Sequence, residues 1–519
     1  ARYDWSNDKH AVGALVGTSY EHYKYERLAG SREEFPSDAL TDMEAGSTSG
    51  AGYTNGAGSS EYKMLSYFAR VNYTLMDRYL FEVNMRADAS SRFHKDHRWG
   101  YFPSFSAGWR MSEESFMKDI EWINNLKIRA SYGTLGNINN VGNYDYFQNY
   151  SSGNHYNFSD SPVIGIGESK PANETLGWEK VALTDIGLDF DIFNGLLGVT
   201  ADYYIKNTSD ILLGYNVPTE TGITAAPSQN IGKVKNTGFE LALNHRNKIG
   251  AVNYSIGANI ATNKNKITNL GGSDNIIQTS SYIVKYILKK GESIGSFYGF
   301  KTDGLYTQAD IDAGHYYTLS GVVPNAGDIK FVPQRDIEYK QEITDEDRTI
   351  LGKDVPDFTY GVNLSLQYKG FEFSMFGQGI SGTKVAFDVY GVHPFYHGQD
   401  SPRKYHLKRW TEENPNPHAA YPRIYSASSV HTTYNRNFSD YHLFDSDYFR
   451  FKTLSLGYTV PSATVKNWGL QSLKVYVTGE NLFTVRADKK MEDFDPETAG
   501  GVIYTLGTKS VAFGVNISF

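Results

Sequence analysis

Two stretches of the sequence interleave aromatic rings with amide and hydroxyl side chains, a combination suited to holding an oligomeric ligand. They are "GNINNVGNYDYFQNYSSGNHYNFSD" at 136–160 and "FDVYGVHPFYHGQDSPRKYH" at 387–406. Rings stack on apolar ligand faces, while amides and hydroxyls bond to sugar hydroxyls or peptide groups. We predict ligand contacts from Tyr144, Tyr146, Phe147, Tyr150, Tyr156, Tyr396 and His397. For any single residue, an aromatic belt at a membrane interface or ordinary loop packing is the alternative.

Histidine, serine and carboxylate side chains could instead perform hydrolysis. The sequence has 13 His, most of them scattered, and His393 and His397 share the stretch "YGVHPFYHGQD". No Ser, His and carboxylate grouping shows the spacing of a known catalytic triad. The chain contains no Cys, so thiol chemistry is absent. We therefore predict no catalytic residues and no enzyme.

The elements that position these stretches are read from alternating hydrophobicity. In 358–369, apolar side chains from Phe358 to Tyr368 occupy every second position, and polar or small residues lie between them. This period of two is typical of a strand with one apolar face. Roughly 14 spanning strands are predicted, at 9–20, 63–76, 78–89, 99–111, 125–136, 179–192, 197–206, 237–245, 250–263, 358–369, 371–383, 448–460, 472–484 and 509–519.

The connections between these strands alternate between short and long. Tight turns are expected at Asp77, at Asn194-Gly195 and at Lys369-Gly370, and a short helical connection at 111–125. The long segments include 21–62, 137–178, 208–236, 264–357, 384–447 and 485–508. Outer-membrane barrels sort their loops this way, whereas soluble sandwiches and propellers have no reason to do so. The fold class is therefore predicted to be all-β, a transmembrane antiparallel barrel.

Composition agrees with that class. Aromatic residues make up 14% of the chain, with 39 Tyr and 29 Phe, and 50 Gly stand against 16 Pro. No apolar run approaches the ~18 residues of a membrane helix. The net charge of −8 gives no reason to expect a nucleic-acid partner.

Several stretches resemble one family, the SusC-like TonB-dependent outer-membrane transporters. They lie at 90–137 and 173–213, and include "NIGKVKNTGFELAL" (230–243), "ILGKDVPDFTYGVNLSLQYKGFEFSMFGQG" (350–379), "YFRFKTLSLGYTVP" (448–461) and "LKVYVTGENLFT" (473–484). The resemblance implies a 22-stranded barrel around an N-terminal plug, a SusD-like surface lipoprotein as a lid, and energy supplied through TonB. The chain resembles the C-terminal part of such a barrel, so the plug and the first barrel strands are expected outside it.

An acidic loop is the place where the chain departs from that family. SusC-like chains often carry a calcium-loop-like stretch before the "PDFTYG" strand. The corresponding stretch of this chain contains Asp328, Asp345 and Asp347. It lacks the alternating D-x-D-x-D-G sequence whose oxygens coordinate calcium. We predict a solvated acidic loop that binds no calcium, and no cofactor or metal elsewhere.

The function implied by the resemblance is active import of nutrient oligomers, either oligosaccharides or oligopeptides, across a Gram-negative outer membrane. The expected partners are the SusD-like lipoprotein, the TonB complex acting through the N-terminal region, the ligand and outer-membrane lipid. A dimer of transporter–lid pairs is left open. A barrel hydrolase, such as a protease or lipase, and a passive adhesin are the alternatives.

The walls give the most specific structural predictions. Val362 and Leu364 should face lipid, while Asn363 and Ser365 face the lumen, because a one-residue register error would reverse every side chain. The last strand, "SVAFGVNISF" at 510–519, should present its apolar face to lipid. Its closing partner, and the edge of the strand at 9–20, are expected to come from outside this sequence, because a barrel must leave no open edge.

Overall fold

The computed structural model describes residues 1–48, 54–158, 161–214, 227–279, 283–387, 392–395, 401–497 and 507–519. Long antiparallel strands dominate it. The strands of the first half are β1 (Arg2–Ser6), β2 (His10–Ser31), β3 (Thr54–Leu75), β4 (Tyr79–Ser90), β5 (Trp99–Arg110), β6 (Ile123–Asn137), β7 (Asn149–Phe158), β8 (Ser161–Lys170), β9 (Glu179–Ile192), β10 (Leu197–Gly214), β11 (Ser228–Ile249) and β12 (Val252–Thr262).

The second half alternates long strands with groups of short ones. The short strands within the connection after β12 are β13 (Lys264–Leu270), β14 (Asn275–Thr279), β15 (Lys285–Lys289), β16 (Ser296–Gly299), β17 (Lys301–Leu305), β18 (Thr318–Leu319), β19 (Ile329–Val332), β20 (Glu342–Ile343) and β21 (Thr349–Lys353). The remaining strands are β22 (Phe358–Tyr368), β23 (Phe371–Ser381), β24 (Lys384–Ala386), β25 (Leu443–Asp445), β26 (Tyr448–Thr459), β27 (Ser472–Arg486) and β28 (Ser510–Ser518).

Helices are short and confined to connections. The α-helices are α1 (Gln308–Asp312), α2 (Val430–Asn435) and α3 (Ser462–Lys466). Single 3₁₀ turns occur at Met43–Ala45, Met111–Glu113, Asp345–Asp347, Lys404–Lys408, Asp440–His442 and Lys489–Asp493. Across the described ranges, no helix has the length and apolar character needed to cross a membrane. The helix predicted at 111–125 is wrong: the connection is a 3₁₀ turn followed by further turns, in which the N–H groups of Met117 and Ile120 donate to the carbonyls of Glu114 and Met117.

The chain divides into two units. The first comprises Ala1–Gly108, Ser131–Thr184 and Asn207–Lys233. In it, β2 and β3 pair antiparallel without a register shift from His10–Leu75 to Ser31–Thr54, and β3 pairs onward with β4. The hairpin β7–β8 belongs to the same unit.

The second unit comprises Trp109–Ala130, Asp185–Lys206 and Val234–Phe519. Its long strands pair antiparallel in the order β11-β12-β22-β23-β26-β27-β28. The turn between β22 and β23 consists of Lys369 and Gly370, both with positive φ (45° and 92°). Two residues of this kind form the turn that matches the right-handed twist of a hairpin. A side chain at position 370 would meet the carbonyl oxygen of Thr459 at 2.7 Å.

One face of this second sheet is apolar and exposed. Leu456 on β26 lies between Phe373 and Val477, and Val477 lies opposite Phe513 of the last strand. The exposed fractions are 50% for Leu456 and 83% for Phe513. An exposed apolar face is what a lipid-facing wall requires, although the lipid contact itself stays a prediction.

The opposite face is polar and carries a row of hydroxyl groups. Ser255, Ser365, Ser374, Ser455 and Thr478 lie directly opposite one another on five successive strands. Ser455 and Thr478 share a hydrogen bond of 2.9 Å. The face alternation predicted for β22 is therefore correct, because Ser365 lies in this row while Leu364 pairs with Ile256 and Met375.

Each of the fourteen predicted spanning strands is present. Part of the segment 208–236, predicted as a connection, is strand instead, because β10 continues to Gly214 and β11 begins at Ser228. Two further differences lie at the start of the chain. The segment 21–62 was predicted as a loop, but β2 continues to Ser31 and β3 begins at Thr54. The edge of β2 was expected to be completed from outside the sequence. Over Ala11–Leu15 this is wrong, because β1 pairs there. A short turn in which Asn7 accepts hydrogen bonds from the amides of Lys9 and His10 folds β1 back.

The long connections of the second unit have hydrophobic cores of their own. The larger core collects Phe300, Leu305, Leu319, Ala326, Ile329, Phe331, Ile343, Trp410, Ala419 and Tyr434. A second one collects Val385, Phe387, Val392, Tyr405, Phe444, Met491 and Phe494. Connections that bury this much apolar surface are folded structures rather than loose loops.

Candidate functional site

Three of the predicted ligand-binding residues form a cluster on the connection between β6 and β7. The ring centroids of Tyr146 and Phe147 are 4.2 Å apart, and those of Tyr144 and Phe147 are 6.5 Å apart. Tyr144 is 47% exposed and Phe147 is 50% exposed, while Tyr146 is partly buried. The cluster, here called the aromatic platform, therefore presents two open rings held by a third.

A buried core in the first unit supports the aromatic platform. Trp178 stacks at a tilt on Phe93 (5.3 Å) and edge-on against Phe102 (5.4 Å), and its indole N–H donates to the carbonyl of Arg98 at 2.9 Å. Tyr146 packs against this core. Gly136 is required there, because a Cβ at this position would lie 2.1 Å from the Phe102 ring.

Polar anchors fix the backbone of the same connection. The Glu179 carboxylate accepts hydrogen bonds from the side-chain amides of Asn137 (2.7 Å) and Asn140 (3.2 Å), and from the backbone N–H of Leu212 (3.0 Å). Arg92 donates to the Asn143 side chain at 2.8 Å. Sequence reasoning gave Glu179 and Arg92 no role. Both lie in stretches that carried the family resemblance, which was the only signal for them.

Two further predicted residues lie on the β7–β8 hairpin. Tyr150 is 64% exposed and Tyr156 is 66% exposed, and the Tyr156 ring packs on Phe158 at 4.9 Å. Within the described part of the chain, no ring contact joins either residue to the aromatic platform. The structure thus brings together three of the five described candidates.

The other two predicted residues, Tyr396 and His397, lie outside the described residues. Among their described neighbours, Phe395 is 48% exposed, whereas the exposed fractions are 2% for His393, 6% for Tyr405 and 1% for His406. Burial lowers the pKa of His393 and of His406 below the ordinary histidine value. These neutral rings form part of a loop core, in which the Tyr405 hydroxyl and His406 Nε2 both bond to the carbonyl of Val392.

A cavity of about 740 Å³ lies in the second unit, where β12, β22 and β23 meet the long connections. Its charged lining has both signs, from Lys264, Lys353, Lys384, Glu292, Asp357, Asp445 and Asp447. Lys353 forms an ion pair with Asp357, and Asp447 accepts from the Ser381 hydroxyl at 2.5 Å. Such a lining can bond to the polar groups of sugars or peptides.

The acidic loop is less solvated than predicted. Asp328 and Asp347 are both 0% exposed, and only the side chain of Asp345 reaches solvent, at 81%. Protein donors take the place of water, because Asp328 accepts from His431 Nδ1, the Asn435 amide and the backbone N–H of Asn325 at 2.7–2.8 Å. The expectation of a solvated loop is wrong for these two carboxylates.

Asp347 is held by Arg335. The guanidinium donates to both carboxylate oxygens, at 3.1 and 2.6 Å, and the backbone N–H groups of Gln334, Arg335 and Thr344 also donate. Burial raises the pKa of Asp347, but these donors outweigh burial and hold it at about 2. Both carboxylate oxygens of Asp347 already accept hydrogen bonds from protein groups. We therefore still predict that this loop binds no calcium.

Comparison with known proteins shows which family has this architecture. Residues 1–482 match the family described as TonB dependent receptor-like, beta-barrel. TonB-dependent receptor P3 of Formosa agariphila is 31% identical over 93% of this chain and 47% of its own length. TonB-dependent receptor SusC of Bacteroides thetaiotaomicron is 29% identical over 88% of this chain and 43% of its own length.

A solved structure shows the same fold. The RagAB peptide transporter superposes with a TM-score of 0.81 and 25% identity, covering 100% of this chain and 54% of the compared chain. This chain spans about half the length of the curated relatives it matches.

These matches explain the sheet geometry above. The exposed apolar face, the polar opposite face and the long folded connections are those of a barrel wall in the outer membrane, and the family consists of transporters rather than enzymes. The family resemblance, the all-β barrel fold and the outer-membrane location inferred from the sequence are confirmed. With its family model matching nearly the whole length, the chain belongs to the TonB-dependent receptor-like β-barrel family and is similar to SusC.

Proposed function

We propose that this chain forms the C-terminal part of the barrel of an outer-membrane importer of nutrient oligomers, either oligosaccharides or oligopeptides. The N-terminal plug and the first barrel strands belong to residues outside this sequence. The strongest support is the likeness along the whole chain to the RagAB peptide transporter.

The surface chemistry fits an oligomeric cargo. The aromatic platform offers two open rings on a connection fixed by Glu179 and Arg92, so little ordering is needed when a ligand stacks on it. The 740 Å³ cavity offers hydrogen-bonding and charged groups in addition. Cargo with both apolar faces and many polar groups suits these features together.

The importer works with two partners in this proposal. A SusD-like surface lipoprotein captures the oligomer with the long connections and closes over it. TonB then pulls on the N-terminal region of the intact protein and opens a path past the plug. The similarity to SusC and to other TonB-dependent receptors supports both partners.

Uptake by whole cells tests the proposal. A strain lacking the gene should fail to accumulate labelled oligomers that the parent strain imports, and a strain lacking TonB should show the same defect. Mass spectrometry of the medium separates import from hydrolysis, because an importer leaves external ligand intact. Unchanged uptake of every oligosaccharide and oligopeptide tested in the deletion strain would refute import.

The platform is tested by the double variant Tyr144→Ala/Phe147→Ala. We expect weaker ligand binding, because stacking contributes about 0.5–1.5 kcal/mol per aromatic contact beyond area burial. Phe193→Ala is the matched control, since Phe193 is also an exposed ring, at 54%, but lies at the β9–β10 turn. Equal ligand affinity in the double variant and the control would show that the aromatic platform is not part of the ligand-binding site.

A further inference from the structure

A second cavity, of about 500 Å³, lies at the end of β27 beside the 3₁₀ turns Lys404–Lys408 and Lys489–Asp493. Thr484 and Arg486 line it, and they alternate along the strand with Phe483 and Val485, which are 58% and 64% exposed on the apolar face. The cavity therefore opens on the polar face of the sheet, which in a barrel of this family faces the lumen.

The lining of this cavity has an excess of positive charge. Five cationic residues line it, namely Arg403, Lys404, Arg450, Arg486 and Lys509, against the three acidic residues Glu492, Asp493 and Asp495. The chain as a whole has the opposite sign, with a net charge of −8. Local excess of one sign in a concave site concentrates ligands of the other sign.

Some of these cationic side chains lack a hydrogen-bond or ion-pair partner among the described residues. The Nε atom of Arg486 is buried and has no hydrogen-bond partner among the residues that the structure describes. Within the same described ranges, Lys404 and Lys509 are exposed and form no ion pair. An oxyanion in the cavity can pair directly with the exposed ammonium groups of Lys404 and Lys509, while the Arg486 guanidinium adds to the positive potential around it.

The protein already binds carboxylates on the adjoining wall. Arg450 donates to Asp495 at 2.6 Å and to Glu497 at 2.7 Å, and Lys452 donates to Glu497 at 2.8 Å. The Tyr448 hydroxyl adds a bond to Glu497 at 3.1 Å. These contacts are charge-assisted hydrogen bonds, which are about twice as strong as neutral ones. Cationic side chains at this point of the wall therefore already pair with carboxylates of the chain itself.

We propose that the cavity at the end of β27 is a subsite for carboxylate groups of the cargo, with Arg486, Lys404 and Lys509 as their partners. The imported oligomer is then acidic. Its carboxylates come either from uronic acids of an oligosaccharide or from acidic side chains of a peptide. This inference rests on the proposed import function and narrows its substrate class.

Binding by the full-length transporter with its lid lipoprotein tests the subsite. The probes are hexagalacturonate and hexaglutamate, each compared with a neutral counterpart, methyl-esterified hexagalacturonate and hexaglutamine. We expect one acidic probe to bind at least tenfold more tightly than its neutral counterpart, and the difference to shrink at high salt as charges are screened. The acidic probe that binds identifies the source of the carboxylate. Binding of both acidic probes also supports the subsite, whereas equal binding of acidic and neutral probes overturns it.

Variants separate the subsite from general charge effects. Arg486→Gln/Lys404→Gln should weaken the acidic probe roughly tenfold, as expected for losing a charge-assisted bond, and leave the neutral probe unchanged. Lys466→Gln, an exposed cation on α3, is the matched control. If the double variant fails to assemble, binding is measured with Lys509→Gln alone. Unchanged affinity for the acidic probe in these variants overturns the proposal. Cells that import neutral oligomers without favouring acidic ones would leave import intact and refute only the subsite.

Discussion

Two connections of similar composition have opposite environments in this protein. Residues 136–160 and 387–406 both interleave Tyr, Phe and His with polar side chains. In the first, Tyr144 and Phe147 are about half exposed, whereas in the described part of the second, Tyr405 and His406 are almost fully buried and Phe395 is 48% exposed. Composition alone therefore does not distinguish a ligand-binding surface from the core of a folded loop.

The difference is made by distant partners. The first connection packs on Trp178 and leaves its outer rings open. In the second, Tyr405 packs against Phe444 of β25, in the same long connection, and against Phe494 from the connection after β27. An aromatic loop becomes core when the surrounding elements supply enough apolar surface to cover it, and its rings stay exposed when they do not.

The largest expected effect is the loss of stability when the buried hydrogen bonds to Asp328 in the second unit are removed. Asp328→Ala should destabilise the fold of the long connections by about 3–5 kcal/mol, because His431 and Asn435 lose the carboxylate they bond to. Hydrogen exchange of residues 300–347 measures this directly. Asp312→Ala, at an exposed position on α1, should change exchange little. Equal effects of the two substitutions would mean that the network does not stabilise the loop.

The second effect is a pH dependence confined to the same unit. Burial, opposed by a hydrogen bond to the carbonyl of Asn435, lowers the pKa of His442 to about 4, against 6.5 ordinarily. The unfolded state binds the extra proton between these values, so stability is fully present above pH 6.5 and is lost as pH falls towards 4, by about 3 kcal/mol in all. Thermal unfolding between pH 7 and pH 4 measures this slope.

His442→Gln is the control for that slope, because glutamine can bond to the same carbonyl without titrating. The slope between pH 6.5 and 4 should flatten in this variant. An unaltered slope would assign the pH dependence to other groups.

A smaller effect is expected at Asp347. Asp347→Asn should cost about 1–3 kcal/mol, because Arg335 loses an ionised partner that it contacts at 2.6 Å. The depressed pKa of about 2 means that the contribution is complete above about pH 3.8 and is lost only as pH falls through 2. Differential scanning calorimetry at neutral pH checks it. Asp345→Asn, at the 81% exposed carboxylate of the same turn, should be close to neutral, and a larger loss there would contradict the assignment.

The smallest stability change is expected at the aromatic platform. Phe147→Ala should lower the unfolding free energy by about 0.5–1.5 kcal/mol, since half of the ring is already in solvent and the loss is mainly that of its contact with Tyr146. Thermal unfolding of this variant, compared with that of the buried-core variant Leu176→Ala, measures the contrast. If Phe147→Ala destabilises the protein as much as Leu176→Ala, the platform is loop core and the two connections do not differ.

The strands could be predicted because their information is local. Alternation alone identified β9 with the bounds that the structure shows, 179–192. The extension of β3 back to Thr54 could not be predicted, because "TNGAGSSEY" has no alternation and becomes a strand only by pairing with β2. Burial of Asp328 was equally hidden, since its partner His431 lies 103 residues away. Local patterns fix the wall, while the connections depend on contacts distant in sequence.

The row of hydroxyl groups from Ser255 to Thr478 has a mechanical consequence. Its members carry no charge and repeat at the spacing between strands, about 4.8 Å. Because the row crosses the strands, it forms a band of neutral hydroxyl groups at one level of this sheet. A polar surface lying against the band would be held by many weak and interchangeable hydrogen bonds rather than by a few strong ion pairs, so it can shift along the band without first breaking a strong contact.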